Sequence, residues 1–215
     1  MTTKYQRYLA RKREKNEQNP KKTEKTGHSW SRTTERDLAV VSPIHECLIT
    51  DTLSEKGMGH LYFTRLMPDG RISAGIFLVD IFCLGVKDAF FSIIEKLEYE
   101  TRIKNRPGQD QLVPISPACL RKLVEGAVAY ARDLGFEPHG DYAEARQIFG
   151  DQETASCTQG FTYGREGKPL YISGPFESQA RAKAIVAQLR QRKGEDGYHF
   201  IVGADDLDDV VDLES

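Results

Sequence analysis

The sequence predicts an α+β fold: a mostly antiparallel sheet of about four or five strands, built from two hairpin–helix units, with helices packed on the sheet. Three observations support this prediction. A Pro68-Asp69-Gly70 turn separates two strand-like segments. Residues 116–135 carry one apolar stripe at helical spacing. The pattern of the first hairpin recurs in the second half of the chain.

The first hairpin flanks the Pro-Asp-Gly turn. Residues 60–67 alternate between polar and apolar, and residues 71–82 are apolar on both faces, which places the second strand inside the sheet. Gly85 breaks this strand and Asp88 is a suitable helix cap. We therefore expect a helix from Asp88 that covers the hairpin, since Phe90, Ile93, Ile94 and Leu97 repeat at helical spacing.

Two more helices are predicted in the middle of the chain. Ser116 caps the longer one, Pro117 occupies its first position and Gly135 ends it. Its apolar stripe consists of Leu120, Leu123, Val124, Ala127, Val128, Ala131 and Leu134. A shorter helix, capped by Asp141, ends at Gly150 and buries Tyr142, Ala145, Ile148 and Phe149.

The second half of the chain echoes the first hairpin. Residues 161–176 match residues 63–77 in their Phe-Thr pair, their turn and the segment after it, at nearly the same spacing. A chance match is the alternative, because Asp-Gly and Glu-Gly turns are common. A helix over residues 177–193, stopped by Gly194, and a last strand over residues 198–202 complete the predicted second unit.

The two ends of the chain carry opposite charges. Residues 1–25 contain nine Lys or Arg and three Glu, whereas residues 205–215 contain six acidic residues and no basic one. The basic end has few large aliphatic side chains, so it cannot bury enough apolar surface to offset the entropy of ordering. We predict a basic flexible tail at residues 1–38, a single α+β domain at 39–203 and an acidic tail at 204–215.

The composition predicts a cytoplasmic location. Cys47, Cys83, Cys119 and Cys157 are widely spaced without a CxxC pair, so we expect reduced, structural thiols rather than a disulfide framework. Asp80 interrupts the longest apolar run before it reaches the roughly 20 residues of a membrane helix. The charged amino terminus lacks the apolar region of a signal peptide.

Asp80 is the strongest candidate for a functional group, because a carboxylate inside a buried strand must be paired, protonated or used. With Lys87 and Asp88 it forms a candidate catalytic group that would bind Mg²⁺ or act as a base. Such sites need three or four convergent carboxylates, which the sequence does not show. The favoured alternative is structural: Asp80 accepts hydrogen bonds from residues 84–87 and pairs with Lys87 or an Arg, while Asp88 caps a helix.

No metal site is predicted. Among the His and Cys residues only His45 and Cys47 approach the spacing of zinc ligands. Core or surface positions are the favoured interpretation for these residues and for His60, His139 and His199. A catalytic Cys–His pair has no positive support.

A third candidate is cationic. The basic residues near the amino terminus interleave with Tyr5 and Tyr8, a mixture used for phosphate contact and base stacking. The predicted nucleic-acid-binding residues are Lys4, Arg7, Arg11, Lys12, Arg13 and Lys15, with Arg190 and Arg192 on the last helix. The alternative is a charged solvent surface without a ligand.

One segment, Leu78-Val79-Asp80 with Cys83-Leu84-Gly85-Val86-Lys87-Asp88, resembles a group of uncharacterised bacterial proteins. Residues 123–127 and 130–131 share the resemblance, which covers about residues 42–202. It implies a bacterial cytosolic protein with a compact domain. It implies no activity and no functional residue.

The leading hypothesis is a non-enzymatic binding or adaptor protein that contacts RNA or a ribonucleoprotein through its basic tail. The domain would supply a specific surface for a protein or RNA, and no membrane contact is expected. It needs no cofactor. The alternative is a small metal-dependent hydrolase or nuclease that uses Asp80 and nearby carboxylates with Mg²⁺. A third hypothesis is contact between the basic and acidic tails, within one chain or between two.

Overall fold

A computed structural model describes residues 32–104, 110–174 and 177–201. The predicted acidic tail and most of the predicted basic tail lie outside the described residues. By its contacts the chain divides into Met1–Arg32 and Thr33–Ser215.

A five-stranded antiparallel sheet forms the centre of the fold, in the order β4-β3-β2-β1-β5. The strands are β1 (Ile44–Thr50), β2 (Met58–Leu66), β3 (Ile72–Asp80), β4 (Gly85–Ile94) and β5 (Leu112–Pro114). Neighbouring strands pair as a meander from β1 to β4, and β5 adds to the free side of β1. The predicted α+β class, the antiparallel sheet and the packed helices are confirmed.

The helices, in chain order, are α1 (Arg32–Val41), α2 (Leu53–Lys56), α3 (Lys96–Tyr99), α4 (Pro117–Asp133), α5 (Tyr142–Ala145) and α6 (Gln179–Lys193). A π-helical turn, Glu100–Lys104, continues α3, and a 3-10 turn, Arg146–Phe149, continues α5. The prediction for α4 is confirmed. The segment predicted as the shorter helix is helical as α5 and its 3-10 continuation, but the Asp141 side chain makes no capping bond. Ser116 caps α4 by accepting a hydrogen bond from the Cys119 N–H at 3.2 Å, and Gly135 after it has a positive φ of 88°.

The predicted helix from Asp88 is wrong, because residues 85–94 form strand β4. β4 pairs with β3 along its whole length, with a bulge that leaves Lys87 as an extra residue between Val86 and Asp88. Asp88 therefore lies inside a strand and caps no helix. The helical spacing of Phe90, Ile93 and Ile94 arises because both faces of an edge strand carry apolar side chains.

One face of the sheet is covered by α4 and α5, which contact β3 and β4, and by the 3-10 turn, which contacts β2 and β3. Gly75 in β3 allows this close packing, since a Cβ there would lie 2.3 Å from the Ile148 side chain and 3.2 Å from the Ala145 carbonyl. The main core forms between these layers, with Phe63, Phe77 and Phe149 in ring contact. The opposite face is covered less completely, and Phe90 on β4 is 39% exposed.

A buried arginine joins three segments of this core. Arg65 on β2 is 4% exposed. It donates hydrogen bonds to the carbonyls of Ser42 at 2.7 Å, Ile148 at 2.8 Å and Phe149 at 2.9 Å. Burial lowers its pKa, while the charge of Asp151 acts in the opposite direction. These bonds fix the end of α1 and the 3-10 turn against the sheet.

The second predicted hairpin is reduced to one antiparallel bridge between Arg165 and Lys168, without paired strands. Residues 161–163 lie in a loop, and strands β6 (Leu170–Ile172) and β7 (His199–Ile201) pair in parallel, in a separate two-stranded sheet. Helix α6 connects them, so this part is a β-α-β unit rather than a second copy of the β2–β3 hairpin. The five-stranded sheet consequently comes from one meander plus β5, and the internal repeat is wrong. The predictions of α6 and of a last strand are confirmed.

The expectation that all four thiols are reduced is wrong for two of them. Cys119 in the first turn of α4 and Cys157 in the following loop form a disulfide, with 5.0 Å between their Cα atoms. Cys47 and Cys83 are free and buried, and burial raises the pKa of both thiols. None of the described helices is long and apolar enough to cross a membrane.

Candidate functional site

Asp80 lies at the last position of β3 and closes the turn into β4. We call residues 80–85 the Asp80 turn. Asp80 is 5% exposed, and its Oδ1 accepts hydrogen bonds from the N–H groups of Phe82 and Cys83, both at 2.9 Å. A carboxylate that accepts two main-chain bonds in a four-residue turn stabilises that turn in the way an Asx motif does.

Burial raises the pKa of Asp80. The bonds from Cys83, Leu84 and Phe82 and the positive charge of Lys87 act against burial. Lys87 influences Asp80 through its charge alone, because the ion pairs of the described residues do not join the two side chains. The structural role predicted for Asp80 is therefore partly confirmed: Leu84 is a donor from the predicted segment 84–87, but Phe82 and Cys83 before it are donors as well. Among the described residues, neither Lys87 nor an Arg forms a direct ion pair with Asp80.

The main-chain atoms of the Asp80 turn connect it to two other segments. Ile81 donates its N–H to the Gly57 carbonyl at 2.8 Å, while its own carbonyl accepts from Gly164 at 2.9 Å. The Phe82 carbonyl accepts from the Leu170 N–H at 3.2 Å. The turn is thus held from both sides, which explains why its charged residue is inside the protein.

Asp88 lies in a different environment. Its side chain is 38% exposed, and its Oδ1 accepts the Ala89 N–H at 2.8 Å. His139 Nδ1 lies 3.7 Å from the same oxygen and accepts the Asp141 N–H at 3.3 Å. His139 Nδ1 also lies 3.9 Å from the Asp141 carboxylate, so Asp88 belongs to a half-exposed polar group at the surface.

The predicted catalytic residues are thus distributed over two separate hydrogen-bonding systems. Across the β3–β4 ladder, Asp80 faces Gly85 and Asp88 faces Leu78. Among the residues that the structure describes, no group of three or more His, Cys, Asp or Glu side chains is arranged to hold a metal ion. The Mg²⁺-dependent alternative therefore stays a prediction that no described contact favours.

A polar cluster that the sequence did not single out as a unit lies at the other end of the sheet. We call His45, Glu46, Thr64, Tyr99 and Lys104 the Glu46 cluster. Lys104 Nζ bonds both Glu46 carboxylate oxygens, at 3.0 and 2.8 Å, and His45 Nε2 lies 3.7 Å from one of them. His45 occupies a bulge in β1, and its ring meets the edge of the Tyr99 ring at 6.1 Å.

Tyr99 is the buried member of this cluster. It is fully buried, and its hydroxyl makes no hydrogen bond of normal geometry to the described residues. Burial raises its pKa, and the nearby Glu46 carboxylate raises it further. The Thr64 hydroxyl bonds the main chain of Glu46: it donates to the Glu46 carbonyl at 2.7 Å and accepts from the Glu46 N–H at 3.1 Å. With its carboxylate neutralised by Lys104, the cluster ties α3 and the π-helical turn to the sheet.

The predicted nucleic-acid-binding residues fall into two sets. Those from Lys4 to Lys15 lie outside the described residues. On α6, Arg190 Nε lies 3.0 Å from a Glu195 carboxylate oxygen, an ion pair without hydrogen-bond geometry, whereas Arg192 is exposed. Arg190, Arg192 and Lys193 occupy the last turn of the helix, where cations also interact favourably with the helix dipole.

Sequence reasoning found Asp80, but missed Arg65, Tyr99 and Lys104. Arg65 lies in an alternating segment where an arginine is expected to be exposed. Tyr99 and Lys104 follow the segment that was assigned to the wrong helix, so their position over β1 and β2 could not be derived. For Arg65 the sequence offered one signal, a long polar side chain at a position of β2 that the alternation directs inward.

Comparison with known proteins finds no matching family model, no matching curated protein and no matching solved structure.

Proposed function

We propose that this protein is a non-enzymatic binding protein that contacts RNA or a ribonucleoprotein through its basic amino-terminal segment. The observation that carries the proposal is the charge pattern of residues 1–25, with nine Lys or Arg against three Glu. Cations at this density release counterions from a phosphate backbone, which gives affinity without a shaped pocket. Tyr5 and Tyr8 add ring faces for base stacking.

The contacts within the α+β unit agree with a binding role. Asp80, the strongest candidate for catalysis, uses its carboxylate oxygen to hold two main-chain N–H groups. Glu46 is neutralised by Lys104. Cys47 and Cys83 are buried with raised thiol pKa values, the condition of an unreactive cysteine. Each of these groups has a structural explanation that requires no substrate.

Fluorescence anisotropy with labelled single-stranded RNA, hairpin RNA and single-stranded DNA tests the proposal on the full chain. The test variant replaces Lys4, Arg7, Arg11, Lys12, Arg13 and Lys15 by Gln. With six phosphate contacts on single-stranded RNA, log K should fall against log[salt] with a slope of about −4 for the wild type. The slope should become clearly less steep in the variant without reaching zero, because Lys21, Lys22 and Lys25 remain.

Two matched variants separate the contributions. A Y5A/Y8A variant keeps every charge, so it should weaken single-stranded RNA binding without changing the salt slope. An R190Q/R192Q variant tests α6, and we expect a smaller loss than for the amino-terminal variant. Absence of RNA and DNA binding by the wild type at low salt would refute the proposal, as would wild-type affinity in the amino-terminal variant.

A further inference from the structure

The Cys119–Cys157 disulfide joins a long helix to a loop without regular structure. Cys119 lies in the first turn of α4. Cys157 belongs to residues 150–169, which contain no helix and, apart from the Arg165–Lys168 bridge, no paired strand. Connections of this length without secondary structure are uncommon in a compact domain and often carry function. We call residues 154–162 the Cys157 loop.

Few contacts besides the disulfide hold the Cys157 loop on α4. Lys122 Nζ donates to the carbonyls of Cys157 at 3.1 Å and Gln159 at 2.9 Å. Among the described residues, no other side chain outside the loop bonds the main chain of the loop. Phe161 packs against the small cluster that Ala118 forms with the two cysteines, and most other residues of the loop are exposed. A segment with so few buried contacts opens locally at a low free-energy cost.

The two sulfur atoms have different surroundings. Cys119 is at the amino-terminal end of a 17-residue helix, where the helix dipole favours a thiolate. Lys122, at the i+3 position on the same helix face, adds a positive charge. Cys157 has no helix behind it, and its neighbours Ser156 and Thr158 are exposed. Because the more stable thiolate leaves faster, Cys119 is the leaving group and Cys157 is the sulfur that is attacked.

We propose that Cys119–Cys157 is a redox-active disulfide that fastens the Cys157 loop to α4 and is opened and closed again by exchange with thiols. After reduction Lys122 is the remaining polar contact of the loop with α4, so the loop separates from the helix while the five-stranded sheet stays folded. The proposal is independent of the RNA contact, because none of these residues belongs to the basic amino-terminal segment.

The exchange transfers two electrons from a thiol reductant to the disulfide. Cys119 is 8% and Cys157 5% exposed, so the loop first opens locally to admit a dithiol in its monothiolate form. The thiolate sulfur attacks Cys157 Sγ, the disulfide bond breaks, and its electron pair leaves on Cys119 as a thiolate. The second sulfur of the reductant then displaces Cys157 from the mixed disulfide, and the proton of that second thiol passes to Cys157. Two molecules of a monothiol complete the same two steps.

Equilibration of the oxidised full chain in buffers of reduced and oxidised glutathione tests the redox activity. Alkylation followed by peptide mass spectrometry measures the fraction of each cysteine that is reduced. We expect the bond to open at millimolar reduced glutathione under native conditions and to form again when the ratio is reversed. A structural disulfide resists the same buffers. Cys47 and Cys83 are buried and should remain unalkylated in both states, which gives an internal control.

Two single-cysteine variants form a matched pair that tests the leaving group. C157S leaves Cys119 as a free thiol, and C119S leaves Cys157 as a free thiol. The rate of alkylation by iodoacetamide follows the thiolate fraction, so the pH at half-maximal rate should be lower for Cys119 than for Cys157. This pH compares the two thiolates whatever the accessibility of each sulfur.

Chymotrypsin cleavage after Phe161, located by mass spectrometry, measures the release of the loop. Reduction should accelerate this cleavage several-fold, and the C119S/C157S variant should be cleaved at the reduced rate with or without glutathione. Far-UV circular dichroism should show that the reduced protein keeps its secondary structure.

Four results would overturn the proposal. A disulfide that survives millimolar glutathione is a permanent cross-link, and an unchanged cleavage rate after reduction means that the bond does not fasten the loop. Loss of secondary structure on reduction makes the disulfide a requirement of the whole fold. Equal half-maximal pH values for the two free thiols would contradict the exchange direction through Cys119.

Discussion

Replacement of Asp80 separates its hydrogen-bonding role from its charge. Asp80→Ala removes the acceptor of the Phe82 and Cys83 N–H groups, whereas Asp80→Asn keeps an oxygen at the same position and removes only the ionisable group. The contrast between the two variants is therefore more informative than either variant alone. Asp88→Asn is the matched control, since it is the neighbouring carboxylate and is more exposed.

The expected magnitudes follow from the contacts. A buried donor without a partner destabilises by about 1–3 kcal/mol, so D80A, which leaves two N–H groups without their acceptor, should lower the free energy of unfolding by about 2–6 kcal/mol. D80N retains the acceptor and should lie within about 1 kcal/mol of the wild type at pH 7. D88N keeps its bond to Ala89 and should change stability by less than about 0.5 kcal/mol.

The pH dependence has a definite sign. Burial raises the folded-state pKa of Asp80 above its ordinary value of 3.8, so between these two values the folded protein holds a proton that the unfolded chain has released. The stability contributed by the protonated carboxyl is complete below the unfolded pKa and is lost as pH rises through the folded pKa. Relative to D80N, the wild type should lose about 1.4 kcal/mol for each unit of pKa elevation.

Urea unfolding of the wild type, D80A, D80N and D88N at several pH values from 4 to 8 measures these differences. Equal destabilisation by D80A and D80N would show that the hydrogen bonds to Oδ1 are not what Asp80 supplies. A wild type that gains stability relative to D80N as pH rises would refute the raised pKa.

Two further predictions concern the core and the disulfide. Arg65→Met leaves three buried carbonyls without their donor and should lower the free energy of unfolding by about 3–5 kcal/mol. Arg71→Met, at the surface, should change the free energy of unfolding by less than about 1 kcal/mol. Urea unfolding compares the two variants, and equal effects would contradict the structural role of Arg65. Breaking the Cys119–Cys157 bond, which closes a loop of sequence separation 38, should lower stability by about 4 kcal/mol on the chain-entropy model. Thermal unfolding with and without reductant checks this, and a C119S/C157S variant should show no response to reductant.

Strand β4 shows where sequence reasoning failed. Its apolar residues match a helical spacing, and Gly85 followed by Asp88 resembles a helix start. The strand forms because β3 offers a pairing partner along its whole length, and the bulge at Lys87 adjusts the register. The stabilisation of β4 by pairing depends on a neighbouring strand, so the local sequence pattern does not show it. Helix α4 was predictable because its cap, its stripe and its stop are all local.

The candidate sites differ in the same way. The turn-stabilising role of Asp80 was predictable, since its donors lie two and three residues away. The partners of Arg65 lie 23 to 84 residues away, and those of the disulfide 38. Contacts at this separation depend on where α4, α5 and the loops pack against the sheet. Local sequence patterns do not encode that tertiary placement.

The Asp80 turn also has a consequence for cooperativity. Ile81 and Phe82 pack in the main core beneath the five-stranded sheet, whereas Cys83 and Leu84 pack in the smaller core of α6 and the β6–β7 pair. Four consecutive residues thus belong to two hydrophobic clusters, and neither cluster can loosen without moving the backbone of the other. We therefore expect unfolding followed at Tyr198 in the small core to coincide with unfolding followed at Phe77 in the large one, as a single transition.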